Sequence, residues 1–274
     1  MGTESRNPRS IGLAKMSSRE IARLMNEEEM AVNRAVAAEE AHIALAGEKA
    51  AEAYQRGGRV IYVGAGTSGR VATMDAAEMP PTFGLQPGRF VALVAGGQGA
   101  VLAAVEDAED DEHAAIEDLN RIELNRDDIV IGLAASGKTP YVVAAARHAQ
   151  QKGIWTCGVA NNRKNPLFEV VDLAIYLNTG PEVLTGSTRL KAATAQKLVL
   201  NQISTIAMVL SGKVIENLMV DVKATNHKLR ERCVRILRDL TTVSETEAER
   251  LLAAHGWNIR HVLTIMRAGT AAES

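Results

Sequence analysis

Five short apolar runs recur through the middle of the chain: RVIYVG from Arg59, FVALVAG from Phe90, DIVIGLAAS from Asp128, GIWTCGVAN from Gly153 and DLAIYLN from Asp172. Longer segments of helical pattern separate them. Near-continuous apolar strands with helices between them mark a parallel sheet, because parallel neighbours need long crossovers and the crossover helices cover both sheet faces. The expected fold class is therefore α/β, a doubly wound parallel sheet with long flanking helices.

Both ends of the chain follow a helical period instead. MSSREIARLMNEEEMAVNRAV opens with a capping box from Ser17 to Glu20 and places Ile21, Leu24, Met25 and Met30 near helical spacing, and the pattern continues to Gly57. From GSTRLKAATAQKLVLNQISTIAMVLSG onward the chain is helical again. The core domain with its N-terminal helical arm is expected over residues 1–225 and a small helical module over 226–274. In that module SETEAERLLAAHGWNIRHVLTIMRAG reads as two short helices around Gly256, with a capping box from Ser244 to Glu247.

With 46% apolar residues and only 3% aromatics, the core must be built of Ala, Val, Leu and Ile. The 31 basic residues against 33 acidic ones form no block that would track a nucleic-acid backbone, which argues against a nucleic-acid partner. No run approaches the roughly 18 to 20 apolar residues of a membrane span, and the N-terminus lacks the apolar region of a signal peptide, so a soluble cytoplasmic protein without a membrane partner is expected. Cys157 and Cys233 lack metal-ligand spacing and read as buried thiols, and the six histidines form no H-E-x-x-H pattern. No metal site is expected.

The first strand runs into IYVGAGTSGR, which fits G-x-G-x-x-G with Gly64, Gly66 and Gly69 and leads into a helical segment. The unsatisfied N–H groups and positive dipole end of such a helix hold anions. A dinucleotide site would add an acidic residue at the end of the second strand, about 20 positions on. Here that strand ends LVAGG, and Asp75 and Glu78 fall earlier, inside the helix, so a smaller phosphate is favoured. Gly66, Thr67 and Ser68 would offer it N–H groups and hydroxyls. The segment IVIGLAASGKTPYVV repeats the plan, with Ser136, Gly137 and Thr139 lining the pocket, Lys138 nearby, Thr139 at the N-cap and Pro140 at the first helical position. Either loop alone could merely cap a helix. Two of them at the carboxyl ends of parallel strands point to a sugar phosphate.

These loops resemble those of the sugar isomerase domain, a doubly wound fold that binds phosphosugars. TESRNPRS, YVGAGTSGR, DAAEMPPTFG, AVEDAEDD, IGLAASGKTPYV, GPEVLTGSTRLKAATAQKLVLN and NLMVDVKATNHKL occur in the order and spacing of the N-acetylmuramic acid 6-phosphate etherase family, over roughly residues 3 to 230. The stretch from Gly180 to Lys197 also looks like the signature shared with the glucokinase regulatory protein, which binds phosphosugars without converting them. The resemblance implies cleavage of the lactyl ether of N-acetylmuramic acid 6-phosphate to N-acetylglucosamine 6-phosphate and D-lactate, with no metal or organic cofactor. The chain departs from the common pattern at Met79, where many relatives have Cys, and at Lys138, where Arg is frequent. Neither change removes an acid or a base.

An ether resists direct attack by water, but ring opening gives an aldehyde that acidifies the proton on carbon 2, so elimination followed by water addition becomes feasible. Two carboxyl groups in different protonation states suit these steps. The resemblance implies that Glu78, just before the helix-ending MPP, protonates the departing lactyl oxygen and that Glu109, in EDAEDDEHA, moves the carbon 2 proton. Taken by themselves, both glutamates read as solvated helix residues. In PEVLTGSTRLK, Glu182 could hold a sugar hydroxyl, or Ser187 could cap the next helix and leave Arg189 and Lys191 as solvated charges. Apolar helices of low charge suggest a homodimer, as the family also implies. A non-catalytic phosphosugar sensor and an aldose-ketose isomerase are the competing functions.

Overall fold

All five apolar runs form strands in the computed structural model, which describes residues 2–272. β1 (Val60–Gly64), β2 (Phe90–Val94), β3 (Ile129–Leu133), β4 (Trp155–Ala160) and β5 (Leu173–Tyr176) pair in parallel in the order β2-β1-β3-β4-β5. Every residue of β1 and β3 is buried, which is why their sequences run apolar without alternating.

The helices in order are α1 (Ser18–Ala37), α2 (Glu40–Gln55), α3 (Gly66–Phe83), α4 (Gly99–Leu102), α5 (Glu112–Arg121), α6 (Pro140–Gln151), α7 (Lys191–Leu210), α8 (His227–Asp239), α9 (Glu245–Ala254) and α10 (Ile259–Ala272). Contacts divide the chain into two compact units, Met1–Ala77 with Gly88–Ala207 and Glu78–Pro87 with the chain from Met208 on.

In the first unit Ile61, Val63 and Val130 pack in one cluster with Ala115 and Leu119 of α5 and Tyr141, Val142 and Ala145 of α6. Tyr62 alternates to the other face, where its hydroxyl donates to the buried Asp75 of α3 at 2.9 Å. Asn201 and Ser204 of α7 donate to the same carboxylate, at 2.7 and 3.1 Å. Burial pushes the Asp75 carboxyl above its ordinary range, against the pull of these three bonds. Cys157 lies fully buried in β4, and burial pushes its thiol up as well.

Two helix boundaries differ from the sequence expectation. The helix read from Ser17 to Gly57 is two, broken at Ala38 and Glu39, where Glu39 leaves helical geometry and its carboxylate meets His42. The capping box at Ser17 is present in full. The MPP sequence does not end α3, which continues through Pro80 and Pro81 to Phe83. The two prolines remove two hydrogen bonds of the last turn, and Gly84 closes the helix by donating to Pro80 O at 3.0 Å.

In the second unit α8, α9 and α10 share a core of Cys233, Ile236, Leu237, Ala248, Leu252, Ile259, Val262 and Leu263, joined by Val220 and Val222. The two short helices expected around Gly256 are α9 and α10. Ser244 caps α9 by accepting the Glu247 N–H, but the Glu247 carboxylate turns to Arg250, so the returning half of the expected capping box is not formed. No helix among the described residues is long and apolar enough to cross a membrane.

Candidate phosphosugar site

The strand order reverses between β1 and β3, with β2 on one side and β4 and β5 on the other. Open α/β sheets bind ligands at such a switch point, beyond the carboxyl ends of the strands. Gly64 pairs with Leu133 in register, so the two hydroxyl-rich loops leave adjacent strands at the same level, about 4.8 Å apart.

In the first loop the outer glycines serve packing. A Cβ on Gly69 would lie 2.6 Å from Val94 Cγ1, and one on Gly64 would lie 2.7 Å from the Gly69 nitrogen, so the first turn of α3 sits directly on the ends of β1 and β2. Gly66 is exposed, and Thr67 and Ser68 are half-buried in that turn, whose leading N–H groups have no partner within the helix. In the second loop Gly137 takes φ +68° and donates to Ala134 O at 2.9 Å, while Ser136 Oγ accepts the Lys138 N–H at 3.1 Å. Thr139 occupies the N-cap of α6 and Pro140 the first helical position, yet the Thr139 side chain makes no capping bond, so its hydroxyl is not used up by the helix.

Residues that sequence reasoning missed hold this second loop from behind. The Asn162 amide donates to Ser136 O at 3.3 Å and to Thr3 Oγ1 at 3.1 Å, and its oxygen accepts the Thr3 N–H at 2.9 Å. The N-terminal segment is thereby tied to the candidate site. Further along it, buried Asn7 donates to Glu28 at 2.7 Å and to Pro181 O at 3.2 Å. Glu28 also takes Lys191 Nζ at 2.6 Å and Arg9 at 2.9 Å. Burial pushes the Glu28 carboxyl up, but the hydrogen bonds from Lys191 and Asn7, with the charges of Lys191 and Arg9, outweigh it and hold its pKa below the ordinary value. One signal for Glu28 was available: it falls at i+4 from Leu24 and i−4 from Val32, on the buried stripe of α1.

Glu182 stands differently from the expectation of a sugar contact. It is fully buried, and its two oxygens accept the N–H groups of Lys191 and Ala192 at 3.2 and 2.9 Å. The carboxylate thus satisfies the start of α7, a task the sequence reading offered to Ser187, and Lys191 is buried against Glu28 rather than solvated. Burial raises the Glu182 carboxyl above its ordinary range, opposed by the two backbone bonds and the Lys191 charge.

Glu109 is exposed on a 3₁₀ turn, Ala108–Asp110, in the connection from β2 to α5. This connection folds back over the end of β2: a Cβ on Gly96, whose φ is +84°, would lie 3.0 Å from Val105 Cβ and 3.2 Å from Ala108 Cβ. Asp107, just before the turn, has φ +59°, a conformation that non-glycine residues adopt mainly at functional or tightly determined turns. Gly66, Thr67, Ser68, Ser136, Gly137 and Thr139 therefore gather at the switch point, and the Glu109 turn reaches the next strand over. Glu78 is exposed on α3 and counts with the second unit. Among the described residues, no group of three or more His, Cys, Asp or Glu side chains is placed to hold a metal ion.

The loops present N–H groups and hydroxyls at the switch point, and Glu109 is an exposed carboxylate in the connection from β2 to α5. Residues 42–150 match the N-terminal SIS domain of the glucokinase regulatory protein, 100–206 the SIS domain, and 216–266 the C-terminal lid domain of the glucokinase regulatory protein. The chain is 52% identical over 250 residues to an N-acetylmuramic acid 6-phosphate etherase of Geobacillus thermodenitrificans, covering 91% of this chain and 85% of that one. It is 48% identical over 271 residues to the etherase of Serratia proteamaculans, covering 99% and 91%. Among solved structures, a phosphoheptose isomerase from Francisella tularensis superposes with a TM-score of 0.54 at 17% identity, covering 70% of this chain and 98% of that one. A putative phosphosugar isomerase from Bacteroides fragilis gives 0.53 at 21%, covering 73% and 93%. These two share the fold.

Proposed function

This chain belongs to the N-acetylmuramic acid 6-phosphate etherase family, and from that premise we infer that it cleaves the lactyl ether of N-acetylmuramic acid 6-phosphate, giving N-acetylglucosamine 6-phosphate and D-lactate in amino-sugar recycling. The observation that carries the reading is the pair of hydroxyl-rich loops flanking the β1/β3 switch point in a chain about half identical to etherases over nearly its whole length.

We assign the 6-phosphate to Gly66, Thr67, Ser68, Ser136, Gly137 and Thr139. The reaction class is a carbon-oxygen lyase step completed by hydration. With the sugar open, Glu109 takes the proton from carbon 2, the bond between carbon 3 and the lactyl oxygen breaks, and Glu78 gives that oxygen its proton. Water then adds across the new double bond, its hydroxyl to carbon 3 and a proton to carbon 2, so the net change is hydrolysis. Each proton transfer by a positioned carboxyl contributes about 10²- to 10⁴-fold. Glu182 enters as a positioning residue at the start of α7, through its bonds to the Lys191 and Ala192 N–H groups.

A homodimer fits the apolar side chains that the first unit leaves in solvent, among them Leu102, Met30 and Leu184. The cytoplasm fits the substrate, since a sugar phosphate is an anion that does not cross a lipid bilayer unaided. A second reading, a phosphosugar-binding regulator, is favoured by the matches to two domains of the glucokinase regulatory protein. Incubation of the purified chain with N-acetylmuramic acid 6-phosphate separates the two. Release of D-lactate is expected, whereas binding without lactate release would leave the regulator.

A further inference from the structure

The substrate carries two anionic groups, the phosphate and the lactyl carboxylate, and the loops described above account for only the first. Arg70 lies one residue past Gly69 in the opening turns of α3, half-buried. Its Nε donates to Val101 O at 2.8 Å, at the end of α4 in the connection that carries Glu109. Among the described residues the guanidinium makes no other hydrogen bond or ion pair, so Nη1 and Nη2 remain unspent. The other cations around these loops stand differently: Lys138, Arg163, Lys164 and Arg189 are exposed, and Lys191 is buried against Glu28.

Resting on the etherase reading, we propose that Arg70 binds the carboxylate of the lactyl group and is the residue that distinguishes the lactyl ether from the bare sugar phosphate. The planar fork of a guanidinium matches a carboxylate bidentately, whereas the phosphate is already met by N–H and hydroxyl donors. The Nε bond to Val101 O ties Arg70 to the connection that carries Glu109 and leaves the Nη edge of the fork free. The ether bond that breaks joins the sugar to this same lactyl group, so one side chain would orient the leaving group and steady the connection that bears the proton-transfer turn.

The test compares wild type with Arg70→Gln and Arg70→Lys, using two ligands that differ only in the lactyl group. Lactate release from N-acetylmuramic acid 6-phosphate gives KM and kcat, and competitive inhibition by N-acetylglucosamine 6-phosphate reads the phosphate and sugar contacts alone. Arg70→Gln is expected to raise KM about tenfold or more, the size expected for a lost charge-assisted bond, and to leave the inhibition constant within about twofold. Arg70→Lys, which retains stem and charge but not the fork, should fall between, and it serves if Arg70→Gln does not fold. A parallel rise in the inhibition constant would assign Arg70 to the phosphate and overturn the proposal. A fall in kcat with both constants unchanged would reduce Arg70 to holding the connection and overturn it equally. Wild type that releases no lactate would instead defeat the etherase reading, before any variant is made.

Discussion

Gly137 stands against Asn165 so closely that a Cβ on Gly137 would overlap the Asn165 carboxamide. Asn165 cannot retreat easily. Its oxygen accepts the Phe168 N–H at 3.0 Å, its nitrogen donates to Asn162 O at 2.7 Å, and Asn162 in turn reaches Ser136 O. The second hydroxyl-rich loop is thus clamped on the side facing away from the switch point, which leaves the hydroxyls of Ser136 and Thr139 as its variable edge.

Gly137→Ala should therefore do more than strain a backbone. A left-handed conformation costs a non-glycine residue about 1–2 kcal/mol, and the overlap with Asn165 adds to it. Gly153 is the control, since its φ of +72° is similar while nothing lies within 4 Å of its Cβ position. Gly153→Ala should lose only the conformational part in a urea melt. Gly137→Ala should lose more and also weaken N-acetylglucosamine 6-phosphate binding, and equal losses in the two variants would remove the clamp.

Ser68→Ala, Ser136→Ala and Thr139→Val test the phosphate assignment directly. A hydrogen bond to a charged group contributes about 1.5–3 kcal/mol, or roughly 10- to 150-fold in affinity. Titration with N-acetylglucosamine 6-phosphate should show weakening in all three. Thr139 is the sharpest case, because its hydroxyl makes no capping bond whose loss could confuse the result. Unchanged affinity in the set would move the phosphate elsewhere.

The strands and both loops were legible because their signals are local: five apolar runs, and glycines with hydroxyls between strand and helix. What was hidden depends on distant partners. Within NEEEM only the helical spacing to Leu24 and Val32 sets Glu28 apart from Glu27 and Glu29, and the partner that explains its burial, Lys191, lies 163 positions on. Glu182 looked like a ligand contact because the N–H groups it satisfies lie nine and ten residues downstream, beyond the reach of ordinary capping patterns. The prolines in MPP looked like a stop, since each removes an i→i−4 hydrogen bond, but α3 carries both into its last turn and ends only at Phe83.

Glu28 also sets an expectation for acid stability. Its folded pKa is lowered, so the stability it contributes is present above its ordinary value of 4.5 and is lost as pH falls through the folded value. Asp75 and Glu182 have the opposite sign, because their pKa values are raised and they favour folding more as they take up protons. Glu28→Gln leaves Lys191 buried beside a neutral partner, a loss of about 3–5 kcal/mol near pH 7. The gap between variant and wild type in urea melts should narrow steadily below pH 4.5. A gap independent of pH would mean that the Glu28 charge contributes nothing.

The two proposed catalytic glutamates are both exposed, so their substitution should spare the fold and expose their chemistry. Glu78→Gln keeps the size and much of the hydrogen bonding of the acid but cannot donate its proton, so lactate release should fall by about two to four orders of magnitude while sugar phosphate still binds. Glu109→Gln should slow lactate release comparably and also suppress exchange of the carbon 2 proton with deuterated solvent. Glu78→Gln should retain part of that exchange, because proton removal can precede departure of the lactyl group. Wild-type turnover in oxygen-labelled water should place the label at carbon 3 of the sugar, since elimination breaks the bond between that carbon and the lactyl oxygen and water replaces it. Label found only in lactate would rule out elimination, and near-normal turnover in both variants would return Glu78 and Glu109 to ordinary solvated helix charges.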